Sequence, residues 1–286
     1  MRVAAIQTTA GPDLHDNLRS AERLVEAAAR YGAQLVVLPE YFSVAGAPEA
    51  LRAGAETMDG PTVTWAAGVA RRLGLHLVAG SFPERRTDGR DRPANSCCVV
   101  GPDGGVMAVY RKIHLFDVAL GDAAFCESAT MAPGEEVVTV ALDSGTVVGL
   151  SLCYDLRFPE LYRVLALEGA TVVAVPAAFT TATGPDHWEL LLRARAVEEQ
   201  VFVIGAGQVG RLPEGMPRCH GHSMIVDPWG TVLAAREDPT PGVVIADLDF
   251  EHLVRVRAEL PVLANRRPGA YRGLHDDGRG RGGIGV

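Results

Sequence analysis

Three side chains of this 286-residue chain stand where an apolar run gives way to a polar one: Glu40 after QLVVLP, Lys112 at the end of VMAVYRK, and Cys153 after VVGLSL. In α/β sheets reactive groups gather at the carboxyl ends of strands, so the three could converge on one site. Brought together, a thiol, a carboxylate and an ammonium supply a nucleophile, a proton acceptor, and a positive charge for sulfur or an oxyanion. Each also has a plainer reading. Taken alone, Cys153 reads as a small core residue and Lys112 as a surface lysine. Glu40 reads either as a loop acid or as a carboxylate too costly to bury unless it is paired or used.

Other groupings fail in their context. GAGQVG, Gly205 to Gly210, matches the dinucleotide-binding glycine pattern but runs into RLPEGMP instead of a helix. CHGH, with Cys219, His220 and His222, has no second ligand cluster at zinc-like spacing, so no metal or other cofactor is expected. Neither G-x-S-x-G nor a P-loop pattern occurs, which removes the serine α/β-hydrolase and nucleotide-kinase readings in their standard forms. A cysteine–histidine protease using His114, His187 or His222 as base stays open on composition, with nothing local in its favour.

The elements that must position these residues follow from hydrophobic periodicity. RVAAIQT reads as a strand, and the next segment places Leu18, Ala21, Leu24, Val25 and Ala28 on one helical face closed by Gly32. AQLVVLPE is a continuous apolar run, the mark of a strand covered on both faces. A helix opened by Pro61 and ended by Gly74 leads to the buried strand LHLVAGSF, and NSCCVVGPDGGVMAVYRK reads as a hairpin. The second half repeats the scheme: a hairpin into Cys153, the helix PELYRVLALEG, the strand ATVVAVP, a helix through HWELLLRARAVEEQ, and the strand VFVIGAG. A hairpin at SMIVDPWGTVLAA, a strand GVVIADL and a short helix near EHLVRVRAEL complete it. Two mixed sheets in one domain are best buried face to face with helices outside. Residues 1–271 are therefore expected to form one domain, with the Gly/Arg-rich tail 272–286 disordered or held at a subunit interface.

A net charge of −8 argues against nucleic acid or an anionic membrane as partner and for a small molecule. The N-terminus turns polar too soon for a signal peptide, and no run reaches membrane-spanning length. Five cysteines without a C-x-x-C pair suit free thiols in a reducing, cytoplasmic setting.

LPEYF around Glu40, YRKIHLFD around Lys112 and CYDLRFPEL around Cys153 resemble, in order, the three signatures of the nitrilase, or carbon-nitrogen hydrolase, superfamily. The resemblance extends through CESATMAPG, AFTTATGPDHWELLLRARAVEEQ, GHSMIVDPWGTVLA and PVLANRRPGAY. It implies a four-layer α-β-β-α sandwich, a metal-free Glu-Lys-Cys site, and a homodimer or larger assembly. TGPDHWELLLRARA is similar to the amidase branch acting on small α-keto amides, that of deaminated glutathione amidases and, next, omega-amidases; N-carbamoyl amino acid hydrolysis is a third reading. Carried over residue by residue, the resemblance makes Cys153 the nucleophile, Glu40 the general base, and Lys112 with the Tyr154 backbone N–H the oxyanion hole. Glu127 becomes a second active-site glutamate. Arg157, Phe179 and Thr183 fall at the substrate end, where an arginine's planar fork suits a substrate carboxylate; a salt bridge to Glu160 is the plain alternative for Arg157. Tyr41 and His187 are possible neighbours.

Overall fold

The computed structural model describes residues 1–120, 123–213 and 216–270. The tail expected at 272–286 lies outside the described residues. In chain order the first half consists of β1 (Arg2–Gln7), α1 (Leu14–Arg30), β2 (Leu35–Val37), α2 (Pro48–Ala53), α3 (Pro61–Leu73), β3 (His76–Glu84), β4 (Ala94–Val100) and β5 (Val106–Arg111). A small hairpin, β6 (Asp117–Leu120) and β7 (Ala123–Cys126), precedes β8 (Thr139–Ala141), β9 (Val147–Leu150), α4 (Pro159–Leu167), β10 (Val172–Ala177), α5 (Gly184–Glu199) and β11 (Phe202–Gly207). The ribbon β12 (Val209–Gly210) and β13 (Cys219–His220) leads to β14 (Met224–Val226), β15 (Val232–Ala235), β16 (Gly242–Asp247) and α6 (Phe250–Glu259).

Two six-stranded sheets result, ordered β16-β1-β2-β3-β4-β5 and β15-β14-β11-β10-β9-β8. Each has a parallel centre, β1-β2-β3 in one and β9-β10-β11 in the other, flanked by antiparallel strands. The helices follow from local signals. Asp13 caps α1 by accepting from the Asp16 N–H, and Leu18, Ala21, Val25 and Ala28 form its buried stripe. Pro61 opens α3, and Gly74, at φ 64°, ends it with a bond to the Ala70 carbonyl.

Three apolar layers hold the sandwich. Val3, Leu35, Val37, Val78 and Val99 of the first sheet meet Val148, Leu150, Val172, Phe202 and Ile204 of the second. α1 and α3 cover the outer face of the first sheet through Val25, Ala28, Val63 and Val69, and α4 and α5 cover the second through Leu161, Leu165, Trp188 and Leu192. Each such fully buried Leu, Val or Phe contributes about 1.5–3 kcal/mol. This is the expected α-β-β-α order. The sheets also join at one end, where the Thr8 carbonyl accepts from the Val209 N–H at 2.8 Å.

The sequence reading had no counterpart for α2, for the β6–β7 hairpin or for the β12–β13 ribbon. The hydrophobic face of α2 is a single buried residue, Leu51, too little for periodicity to register.

Candidate active site

Glu40 lies just past β2, on a turn that demands close packing. Gly80 in β3, at φ 23°, has no Cβ, which would otherwise sit 1.9 Å from the Pro39 carbonyl oxygen. Next to it, Ser81 Oγ accepts from the Tyr41 N–H at 2.9 Å, and Tyr41 itself is left-handed at φ 54°. The Glu40 carboxylate, 2% exposed, accepts through Oε1 from Lys112 Nζ at 2.9 Å and Asn95 Nδ2 at 2.9 Å, and through Oε2 from the Ala178 N–H at 2.8 Å. Its backbone carbonyl accepts from Gln208 Nε2 at 3.0 Å.

Lys112 directly follows β5, with its N–H on the Asn95 carbonyl at 2.9 Å and its own carbonyl on the Gly134 N–H at 2.8 Å. Glycine is required at 134 because a Cβ there would lie 2.1 Å from the Arg111 carbonyl oxygen. Nζ also donates to Glu127 Oε2 at 2.8 Å. Glu127 further accepts from the Tyr41 hydroxyl at 2.9 Å, Asn95 Nδ2 at 3.1 Å and the Phe116 N–H at 2.7 Å. Burial is the largest influence on Lys112 and opposes its charge, but Glu127 and Glu40 outweigh it and hold Nζ well above the usual lysine value. Burial likewise pushes Glu127 up, yet Lys112, the Phe116 N–H and Asn95 leave it below the usual carboxylate value. The ammonium and Glu127 therefore form a stably ionised pair.

Cys153 begins the 3-10 turn Cys153–Arg157 directly beyond β9, at φ 46°. For a residue other than glycine this conformation costs roughly 1–3 kcal/mol and needs support from its surroundings. Burial, then the nearby Glu40 carboxylate, pushes the thiol well above the ordinary cysteine value, with Lys112 pulling the other way.

Glu40, Lys112, Glu127 and Cys153 line one cavity of about 150 Å³, with Tyr41, Tyr154, Arg157, Phe179 and Thr183 around it. Arg157 is half-buried. It donates to Thr183 Oγ1 at 3.2 Å and sits 3.2 Å from His187 Nδ1, its guanidinium 5.2 Å from the centre of the Phe179 ring. It is turned toward α5 and the cavity, not paired with Glu160. The structure thus brings Glu40, Lys112, Glu127, Cys153, Tyr154, Arg157, Phe179 and Thr183 to one cavity with Tyr41, while His187 touches Arg157 from outside its lining.

Among the described residues no histidine lines this cavity, so none of His114, His187 and His222 is placed to serve Cys153 as a base. His114 is bonded to Asp155 at 2.7 Å, His187 faces Arg157, and His222 is nearest Glu189 and Glu237 at 3.7 and 3.8 Å. GAGQVG passes from β11 into a ribbon, as its context implied. Asn95, the Ala178 N–H and the Phe116 N–H are contributors that sequence reasoning missed. Asn95 sits inside an unbroken buried strand, and the other two act through backbone, so only tertiary structure reveals them.

The arrangement can place a thiol against an acyl carbon while a carboxylate receives its proton and an ammonium faces the developing oxyanion. Comparison with known proteins gives the family. The chain is 42% identical over 265 residues to deaminated glutathione amidase of Synechocystis, covering 92% of this chain and 97% of that one. It is 38% identical over 272 residues to omega-amidase NIT2-B of Xenopus laevis, covering 94% and 96%. The crystal structure of Saccharomyces cerevisiae Nit3, a member of branch 10 of the nitrilase superfamily, superposes with a TM-score of 0.84 at 32% identity, covering 93% and 96%. The model of the carbon-nitrogen hydrolase family matches residues 2–258, and the chain belongs to that family.

Proposed function

We propose that this hydrolase cleaves a small, carboxylate-bearing amide through a thioester on Cys153, with deaminated glutathione as its substrate. The observation that carries the reading is the shared cavity, which Glu40, Lys112 and Cys153 line together with Arg157 and Thr183. Cys153 Sγ attacks the amide carbonyl as its proton passes to Glu40. Lys112 Nζ and the Tyr154 N–H stabilise the negative oxygen of the tetrahedral intermediate. The C–N bond breaks as Glu40 returns the proton to the leaving nitrogen, freeing the amine and leaving the thioester. Glu40 then takes a proton from water, the hydroxyl adds to the thioester carbonyl, and the acid leaves as the proton returns to sulfur. Glu127 keeps Lys112 charged and oriented. Arg157, with Phe179 and Thr183, receives the carboxylate at the far end of the acyl group.

Residues 1–271 act as one catalytic domain in this reading. The enzyme works in the cytoplasm as a homodimer or larger homo-oligomer, supported by exposed Leu167, Leu190, Val197 and Trp229 on and beside α4 and α5. Incubation with deaminated glutathione should release α-ketoglutarate and cysteinylglycine. The likeness to an omega-amidase favours one competing substrate, and turnover of α-ketoglutaramate with none of the larger compound would move the assignment there. Carbon dioxide release from an N-carbamoyl amino acid would move it to the third reading.

A further inference from the structure

Asp155, two residues beyond the nucleophile, is fully buried and carries bonds that the reaction itself does not use. Oδ2 accepts from the Leu152 N–H at 2.8 Å and the Tyr110 hydroxyl at 2.6 Å. Oδ1 accepts from the His114 N–H at 3.0 Å and lies 2.7 Å from His114 Nδ1. The Asp155 N–H in turn donates to the Leu152 carbonyl at 3.0 Å. The first and last of these bonds close a ring around Cys153 and brace its left-handed backbone. The others reach across to the first sheet, to the end of β5 and to the loop two residues beyond Lys112. Tyr110 extends the tie by accepting from the Ile113 N–H at 3.4 Å. The His114 ring is clamped on its open side by Phe158, parallel at 3.6 Å.

We propose that Asp155 is a positioning residue: it locks the turn that carries Cys153 to the loop that follows Lys112 and so sets the sulfur in register with the ammonium. The nucleophile and the cation belong to different sheets, and small errors between them matter, because a displacement of about 1 Å can cost about 100-fold in rate. A carboxylate suits this post because it accepts at every lone pair, whereas an amide must turn N–H groups toward one set of donors. The inference rests on the thioester reading above.

The test compares Asp155→Asn with Tyr162→Phe. Tyr162 is a control because its hydroxyl bonds Ser151 Oγ at 2.8 Å, equally buried beneath the same strand end, without reaching the Lys112 loop. Asp155→Asn should lower kcat by about 30-fold or more with KM within about threefold. Alkylation of Cys153 by iodoacetamide, read by mass spectrometry, should slow in parallel, and Tyr162→Phe should leave both near wild type. Wild-type kcat in Asp155→Asn, or an equal fall in Tyr162→Phe, overturns the proposal. If Asp155→Asn does not fold, His114→Ala carries the test, with a drop of about 5- to 10-fold expected from one lost bond to a charged group; unchanged kcat overturns it. Failure of the wild type to form a thioester would instead sink the functional reading, and the alkylation contrast would still test Asp155.

Discussion

Around Glu40, Lys112 and Glu127 the cavity wall is closed by hydrogen bonds of 2.7 to 3.1 Å that centre on the buried Glu40, Asn95 and Lys112 and the largely buried Glu127. Around Arg157 it consists of 3.2 Å contacts to Thr183 and His187, half-buried side chains on the first turn of α5 and just before it. The difference matches the two tasks proposed for these ends of the cavity. Charge that develops in a transition state is best met by donors that need not reorganise. A group that judges which acyl chain has arrived can give a little, because a mis-set recognition contact weakens binding without removing the chemistry.

The sharpest way to break this contrast is at the sulfur. Cys153→Ala should reduce turnover by more than about 1000-fold while the protein still folds, measured as product release alongside circular dichroism; surviving activity would remove the nucleophile from the chemical end. Glu127→Gln comes next. It deprives Lys112 of its ionised partner without emptying space, and kcat should fall about 100-fold, the scale of losing one preorganised electrostatic contact. At the other end, Arg157→Ala should lower kcat/KM about 10-fold for an acidic amide and leave a neutral amide nearly unchanged. Equal losses on both substrates would show that Arg157 belongs to the chemical end after all.

The smallest effect concerns pH. Glu127 titrates below its unfolded value, near 4.3 for a free glutamate, so between those values the unfolded chain binds the proton and the fold does not. Its contribution to stability is present above about pH 4.3 and is lost as pH falls through the folded value. Urea unfolding between pH 6 and pH 3 should therefore show a shallower decline for Glu127→Gln than for the wild type. Parallel curves would mean that the pair does not store stability.

The sandwich was legible because its centre is written in unbroken apolar runs and its helices in periodic stripes with caps. Glu40, Lys112 and Cys153 were legible for the related reason that each ends such a run, where a polar side chain calls for an explanation. Glu127 was not. It sits in CES, a short polar loop segment, and only its resemblance to a known signature marked it. Asn95 and Asp155 left no trace of their roles, since one hides inside a buried strand and the other looks like a solvated turn acid. What the sequence withholds is which partner a buried polar group will meet, and that depends on how the two sheets are set against each other.

The bond from Gln208 to the Glu40 carbonyl has a consequence for how the protein is made. Residues 40 and 208 lie 168 positions apart, and Cys153 and Ala178 fall between them in order of synthesis. A chain still on the ribosome and shorter than 153 residues contains Glu40, Lys112 and Glu127 without Cys153. A chain not yet extended past residue 208 also lacks the side chain that holds the Glu40 carbonyl.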